Sequence, residues 1–226
     1  MHEQLLAQSR EIAPKIGFIL NDNRIGYKEI PPEHLMHCLQ KTYLGKMLKS
    51  KKGSIYNVFE RKEDDSTIYL FRYRHSSNSS SGGSFSVRQT VACFVSSKLQ
   101  FPRFRLAPKK SFTKIQMFFR EEGIDFSFHP QFQQSNFLQG ENEDAIKKLF
   151  SESVLSHFAN NQELSIEGVD DTFIFYRFDT KVEPKDLPDF YNEIRLGITN
   201  GVGDPTGENQ YFPFCRDSVG KGFPGL

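Results

Sequence analysis

The sequence has only three cysteines and contains no long apolar run, and each of these shortages argues against a class of protein. The cysteines, Cys38, Cys93 and Cys215, are odd in number and widely spaced, which argues against a disulfide framework and for reduced thiols. No apolar stretch, including the one at residues 16–20, approaches the roughly 20 residues of a membrane-spanning helix. The N-terminal residues lack the pattern of a secretion signal. We therefore expect a cytoplasmic protein without a membrane span.

Net charge is also nearly absent, because 29 Lys and Arg stand against 28 Asp and Glu. These charges are divided along the chain: residues 1–113 carry 19 Lys and Arg and 9 Asp and Glu, whereas residues 114–226 carry 10 and 19. A basic half attracts anions unless the acidic half neutralises it. The division leaves two interpretations open, an anion-binding surface on the N-terminal half or ion pairs between the two halves.

Phenylalanine is abundant, with 23 Phe beside 8 Tyr, and a core built largely from phenylalanine is expected. The predicted strands occur in groups that look antiparallel, with helices between the groups and no regular βαβα order. This pattern favours an α+β fold in which an antiparallel β-meander and hairpins pack with three to five helices. We expect one domain at residues 1–199, with a helical N-terminal segment at 1–50, followed by a Gly/Pro-rich tail or arm at 200–226.

Hydrophobic periodicity predicts the individual elements. The expected helices are 3–13, 33–48, one after Ser111, 141–158 and one from about 186. The expected strands are 55–61, 67–75, 85–95, 124–128, 164–167 and 172–178. Residues 101–106 suit a sheet edge or corner, because prolines accompany this short extended segment.

Basic residues form the least ordinary feature of the sequence. The candidate anion-binding residues are Arg72, Arg74, Arg88, Arg103, Arg105, Lys109, Lys110 and Lys114. If the residues before the Ser/Gly-rich stretch at 76–84 share a face with those after position 100, they would form a patch for phosphates, with Phe101 and Phe104 as stacking surfaces. The competing interpretation pairs these cations with the acidic half.

Three residues of the helix predicted at 33–48 resemble a metal-ligand set: His34, His37 and Cys38. Cys38 follows His37 by one residue, which turns it about 100° around the helix, and Lys41 on the histidine side opposes a cation. We expect no metal here, and no cofactor signature occurs elsewhere in the sequence.

Asp125, Ser127 and His129 supply the residue types of a hydrolase triad on the strand predicted at 124–128. Residues two apart on a strand are separated by roughly 6.6 Å, too far for the required hydrogen bonds. We therefore expect a non-catalytic domain that binds another protein. The alternative is an anion-binding module for nucleic acid or acidic lipid headgroups.

Several short motifs occur in order through the middle half of the chain. They are 104–108 (Phe-Arg-Leu-Ala-Pro), 124–126, 129–132 (His-Pro-Gln-Phe), 137–140 (Phe-Leu-Gln-Gly) and 146–150. Together they resemble an uncharacterised bacterial domain family, in which an acidic residue tends to follow the proline where this chain has Lys109. The resemblance implies a cytoplasmic α+β domain, which in some members lies beside membrane spans, and it implies no activity.

Overall fold

An eight-stranded antiparallel sheet forms the centre of the structure, a computed structural model that describes residues 2–21, 24–25, 28–29, 31–49, 53–63, 65–78, 84–110 and 123–193. The strand order is β1-β4-β5-β6-β10-β9-β7-β8, and β2 and β3 form a separate pair. The strands are β1 (Ile19–Leu20), β2 (Arg24–Ile25), β3 (Lys28–Glu29), β4 (Gly53–Glu63), β5 (Ser66–Asn78), β6 (Ser84–Ser96), β7 (Phe101–Pro108), β8 (Asn136–Gly140), β9 (Leu164–Asp170) and β10 (Thr172–Arg177).

Helices lie on both sides of this sheet. They are α1 (His2–Ile12), α2 (Glu33–Gln40), α3 (Tyr43–Lys49), α4 (Pro130–Ser135), α5 (Glu143–Leu149), α6 (Glu152–Asn160) and α7 (187–193), with short 3-10 helices at Ala13–Ile16 and Pro184–Asp186. The α+β class predicted from the sequence is therefore confirmed.

The two faces of the sheet bury different clusters, as strand β10 illustrates. Phe173 and Phe175 belong to one cluster, the Phe face, which α5, α6 and α7 cover. Ile174 and Tyr176 belong to the other, the Tyr face, which α2 and α3 cover. Side chains alternate between faces along a strand, so strands buried on both sides are apolar at nearly every position. The predicted phenylalanine-rich core is present and lies mainly on the Phe face.

The strand predicted at 124–128 is wrong, because among the described residues a single backbone hydrogen bond joins this segment to the sheet, from the Ile124 N–H to the Leu138 oxygen at 2.7 Å. The apparent alternation arises from a loop that buries Ile124 and Phe126 and leaves Phe128 67% exposed. Residues 136–139, where no strand was predicted, form part of strand β8 beside β7.

Strand β7 is internal, not the edge or corner that its prolines suggested, because it pairs with β9 on one side and β8 on the other. The sheet accommodates the prolines at irregular positions. Pro102 lies where the β7–β9 register shifts, between Phe101 and Phe104, and Pro108 is the last residue of the strand. Prolines within sheets are confined to such places because they cannot donate a ladder hydrogen bond.

Two helices predicted as continuous are each divided. The helix expected at 33–48 breaks between α2 and α3, where the Thr42 hydroxyl donates to the Leu39 oxygen at 2.8 Å and accepts from the Gly45 N–H at 3.1 Å. Gly45 is required there, since a Cβ would lie 1.7 Å from the Leu39 oxygen. The helix expected at 141–158 breaks after Phe150 into α5 and α6. The helix predicted after Ser111 and the tail at 200–226 lie outside the described residues, and the single-domain boundaries stay a prediction.

Candidate functional site

The predicted basic residues lie on opposite faces of the sheet. Arg72 and Arg74 alternate with residues of the Tyr face and so lie on the Phe face, as does Arg88, which pairs with Arg74. Arg105 lies between Phe104 and Leu106, two residues of the Phe face, and therefore on the Tyr face. Strands β10 and β9 also separate β6 from β7. The arginines before and after position 100 therefore do not form one patch.

Arg72 is buried and has a structural role. Its Nη1 donates to the Thr90 hydroxyl and its Nη2 to the Val182 oxygen, both at 2.6 Å. Burial lowers the pKa of this guanidinium. Arg72 therefore connects the β5–β6 pair to the segment after β10, and it does not reach a surface ligand.

Arg105 is buried in a polar network under α3. Its Nη2 donates to the Tyr176 hydroxyl at 3.1 Å, and that hydroxyl donates to Glu167 Oε1 at 3.0 Å. The Arg105 and Glu167 side chains are 3% and 1% exposed, with 3.7 Å between Arg105 Nε and Glu167 Oε1. Burial raises the pKa of Tyr176, which keeps its hydroxyl protonated as a donor. The cation predicted at a surface is thus the partner of a buried carboxylate.

The same network holds α3 on the sheet, because Glu167 Oε2 accepts the Leu44 N–H at 2.9 Å. Glu167, Arg105 and Gln139 lie side by side on β9, β7 and β8. Gln139 is 1% exposed, and neither atom of its amide has a hydrogen-bond partner among the residues described here. An unsatisfied buried amide costs about 1–3 kcal/mol.

Three of the other predicted cations, Arg103, Lys109 and Lys110, contact the C-terminal, acidic half of the chain. Arg103 Nη1 lies 3.2 Å from Glu141 Oε1, and Lys110 Nζ lies 3.6 Å from Glu163 Oε1. Lys109 donates to a backbone oxygen, that of Gln133. Lys114 lies outside the described residues. The interpretation that the two halves neutralise each other is therefore supported for the residues after position 100, although such exposed pairs contribute only about 0–1 kcal/mol each.

Arg74 and Arg88 differ from these residues. Both are exposed, they lie directly opposite each other on β5 and β6, and no ion pair to either guanidinium occurs within the described ranges. The carboxylate of Asp179 accepts the Arg88 backbone N–H at 3.0 Å. Like charges directly opposite in a sheet are destabilising, with Cβ atoms about 4.5–5.5 Å apart. An anion between the two guanidiniums would remove this repulsion.

Hydroxyl groups border the arginine pair on the same face. Ser76 and Ser86 form the next cross-strand pair, with their Oγ atoms 3.4 Å apart, and Ser54 of β4 lies opposite Arg74. We call Arg74, Arg88, Ser76 and Ser86 the arginine–serine site. Small hydroxyl side chains leave room above the strands and offer donors to an oxyanion.

The site lies at the end of β4, where Arg74 still pairs with Ser54 and the Ser76–Ser86 pair lies beyond the last β4 residue described. The last β4 pair is Gly53 with His75, and the last β10 pair is Tyr176 with Val91. Past these points only β5 and β6 remain paired, at 76–78 and 84–86, within the part of the sheet that the structure describes. We call 74–78 with 84–88 the β-ribbon.

The three residues at 34–38 that resemble a metal-ligand set do not converge on one point. His34 Nδ1 contacts the Tyr69 hydroxyl at 3.0 Å, His37 is exposed, and Cys38 is 1% exposed against the Tyr face. Burial raises the pKa of the Cys38 thiol, which disfavours the thiolate that metals bind. No group of three metal-binding side chains occurs anywhere in the described ranges.

The hydrolase triad is not assembled either. The Ser127 hydroxyl donates to Asp125 at 3.0 Å, but His129 Nδ1 accepts the Phe132 N–H at 3.2 Å at the start of α4. The other ring nitrogen of His129 lies 3.3 Å from the Ser156 hydroxyl. His129 therefore caps α4 and contacts α6, and no recorded contact among the described residues joins it to Ser127.

A cleft of about 490 Å³ lies at the β1 edge of the sheet. Its lining residues are Gly17, Ile19, Leu20, Asn21, Glu60, Arg61 and Lys62. Ile19 is 75% exposed, and Ile19 and Phe128 are the large apolar side chains exposed in the described residues. The cleft carries both charge signs, so its chemistry does not favour anions.

Comparison with known proteins gives no relative: no family model, no curated protein and no solved structure matches the chain. The resemblance of its middle motifs to an uncharacterised bacterial family gains no support from this comparison. None of the described helices is long and apolar enough to cross a membrane.

Proposed function

We propose that this protein is a non-catalytic binding module for phosphate-bearing anions and that the arginine–serine site holds the phosphate. The main support is that Arg74 and Arg88 lie directly opposite each other on β5 and β6, and that both side chains are exposed. Among the described residues, neither guanidinium forms an ion pair. The other arginines of the predicted set are buried or contact a carboxylate.

The side chains of the site are suited to bind the oxygen atoms of a phosphate group. A guanidinium presents its N–H groups as a planar fork, which matches two phosphate oxygens at once. Two such forks from neighbouring strands can approach one phosphate from both sides, and the Ser76 and Ser86 hydroxyls lie next along the ribbon. The strands fix the positions of all four Cα atoms, so the site needs little reorganisation to bind.

Calorimetric titration with inorganic pyrophosphate at low ionic strength tests this proposal. The wild type is expected to bind, and Arg74→Gln/Arg88→Gln is expected to lose that binding. A matched control, Lys62→Gln/Lys147→Gln, removes the same charge from exposed positions away from the ribbon and should bind as the wild type does. Equal binding by all three proteins would overturn the proposal.

A second candidate function, binding of another protein, is favoured by the cleft at the β1 edge. Ile19 offers an exposed apolar side chain at a strand that pairs with β4 on one side. The Asn21 N–H donates to the Val58 oxygen at 2.8 Å, so alternation directs the backbone groups of Leu20 outward, toward an added strand. In a peptide-array screen, the wild type should bind extended peptides and the Ile19→Asp variant should not. Equal binding of the wild type and the variant would contradict this candidate.

We keep a cytoplasmic location as part of the proposal. Cys38 and Cys93 are buried free thiols. Reduced cysteines are the rule in reducing compartments, which supports this location.

A further inference from the structure

We infer that Ser86 is a phosphorylation site and that its phosphoryl group binds to Arg74 and Arg88 of the same chain. The phosphoserine then occupies the arginine–serine site and excludes other phosphates. This inference rests on the proposed function and adds the regulation of the same site. Its basis is an exposed serine hydroxyl beside two exposed arginines, in a register that places both guanidiniums within its reach.

The β5–β6 register fixes the spacing of these side chains. Ser86 and Arg88 are two residues apart on β6, so they lie on the same face with about 6.6 Å between them. Arg74 is the diagonal neighbour of Ser86, because Arg74 pairs with Arg88 and Ser76 pairs with Ser86. Diagonal neighbours lie about 7–8 Å apart, within reach of long side chains. Both guanidiniums can therefore contact a phosphoryl group on Ser86 Oγ.

The charges favour this contact. A phosphoserine carries a charge of about −1.5 to −2 at neutral pH and has three oxygens that accept strong hydrogen bonds. Between the two arginines it forms charge-assisted hydrogen bonds and removes the repulsion across β5 and β6. Asp179 opposes the phosphate, but it follows β10 and contacts β6 at Arg88, on the side away from β5. The two guanidiniums outweigh this one carboxylate.

Ser86 is the more accessible hydroxyl of its cross-strand pair. Its side chain is exposed, whereas that of Ser76 is half-buried. The two Oγ atoms are 3.4 Å apart, so the Ser76 hydroxyl is placed to donate to a phosphate oxygen on Ser86. The segment 84–86 is already extended, as a kinase substrate must be, and it pairs with 76–78 at the end of the ladder. Freeing it for a kinase therefore breaks few backbone hydrogen bonds.

Ser54 is the other exposed serine beside the arginine pair, and it fits less well. It lies directly opposite Arg74 on β4. Strand β5 separates it from Arg88, which places Ser54 and Arg88 two strand spacings apart, roughly 9.6 Å. A phosphoryl group on Ser54 would contact one arginine, whereas one on Ser86 contacts both.

The modification is a phosphoryl transfer from a nucleoside triphosphate, catalysed by a serine kinase. The γ-phosphorus forms a bond to Ser86 Oγ, and its bond to the oxygen that bridges the β- and γ-phosphates breaks. The hydroxyl proton passes to the catalytic base of the kinase, and the nucleoside diphosphate leaves. The product carries a phosphate at the position where the unmodified site binds one from solution, so phosphorylation switches that binding off.

Phosphoserine introduced at Ser86 by stop-codon suppression tests the contact with the arginines. The second pKa of phosphoserine is ordinarily about 6, and neighbouring cations lower it because they stabilise the dianion. Phosphorus-31 NMR across pH should find a lower pKa in the otherwise wild-type protein than in Arg74→Gln/Arg88→Gln. Phosphoserine at the exposed Ser153, beside Glu152 on α6, is the matched control and should show no dependence on the arginines. Equal pKa values for the phosphate at Ser86 with and without the arginines overturn the inference.

Calorimetric titration with pyrophosphate separates this inference from the proposed function. The unmodified protein should bind, and the protein phosphorylated at Ser86 should bind at least about fivefold more weakly, the low end of common coupling between ligands. The protein phosphorylated at Ser153 should bind as the unmodified protein does. Undiminished binding after phosphorylation of Ser86 overturns the inference and leaves the phosphate site standing. Absence of binding by the unmodified protein overturns the proposed function, while the NMR comparison still decides whether the phosphoserine contacts the arginines.

Incubation of the complete, unmodified protein with magnesium-ATP and a serine kinase that prefers arginine near its target tests the acceptor residue. Peptide mass spectrometry should find phosphate on Ser86, and Ser86→Ala should lose it. Circular dichroism of Ser86→Ala should match the wild type, because this side chain is exposed. Phosphate confined to other serines, or no incorporation, overturns the assignment to Ser86.

Discussion

Replacement of Arg105 by methionine should destabilise the protein strongly, although the sequence suggested a surface ligand-binding role for this residue. Methionine has a similar unbranched stem and lacks the charge. The substitution leaves Glu167 beneath α3 at 1% exposure, still accepting the Tyr176 hydroxyl and the Leu44 N–H but without a cation. The perturbation thus isolates the cost of one uncompensated buried carboxylate.

The expected loss follows from that geometry. Removing one partner of a buried ion pair costs about 3–5 kcal/mol, whereas an exposed ion pair is worth about 0–1 kcal/mol. The 3% exposure of Arg105 places it in the first class. Domains of this kind have a total free energy of unfolding of only about 5–15 kcal/mol, so the variant should be near the limit of stable folding.

Urea denaturation followed by circular dichroism measures the loss, with Arg74→Met as the matched control. The control makes the same substitution at an exposed position and should change the free energy of unfolding by less than about 0.5 kcal/mol. Adding Glu167→Gln to Arg105→Met removes the uncompensated charge and keeps an acceptor for the Leu44 N–H, so part of the stability should return. A loss below about 1 kcal/mol for Arg105→Met, or no return in the double variant, would refute the reasoning.

Three further outcomes are expected. Phe150→Ala should lower the free energy of unfolding by about 3–5 kcal/mol because this ring is 2% exposed in the core, while Phe128→Ala, at 67% exposure, should cost less than about 1 kcal/mol in the same urea titration. Burial lowers the pKa of His157 below its ordinary value of 6.5, so the unfolded state binds a proton more readily than the folded state does. The free energy of unfolding should therefore fall as the pH drops below about 6.5. Thermal melts across this pH range should show a smaller fall for His157→Gln than for the wild type. Burial raises the pKa of Cys38 and Cys93, so peptide mapping should find both alkylated only after denaturation; alkylation in the native state would contradict their placement.

Local patterns in the sequence predicted the strands that alternate clearly. Strands β4, β5, β6, β9 and β10 were expected because aromatic and β-branched residues alternate between turns rich in charged residues and glycine. The short strand β8 was missed, since Asn136 to Gly140 has no alternation of its own and becomes a strand by pairing with β7. Residues 124–128 show the reverse error, because a loop can also bury alternate residues.

The site depends on pairings that local patterns do not show. Arg105 and Glu167 are 62 residues apart and become neighbours only through the β7–β9 pairing. One signal was available: Arg105 interrupts an apolar run, Phe104 to Ala107, which is typical of a strand buried on both faces. The opposition of Arg74 and Arg88 likewise follows from the β5–β6 register, which the spacing across the Ser/Gly-rich stretch did not determine.

The side-chain Nε–Hε signals of Arg74 and Arg88 in ¹⁵N-labelled protein test the central claim most directly. During titration with inorganic pyrophosphate at low salt, the account predicts that these two signals shift together with a common affinity, while the signals of buried Arg72 and Arg105 remain in place. Either signal is assigned by its loss in the single glutamine variant. Shifts spread evenly over the exposed arginines, or absent from this pair, would contradict a phosphate site on the β-ribbon.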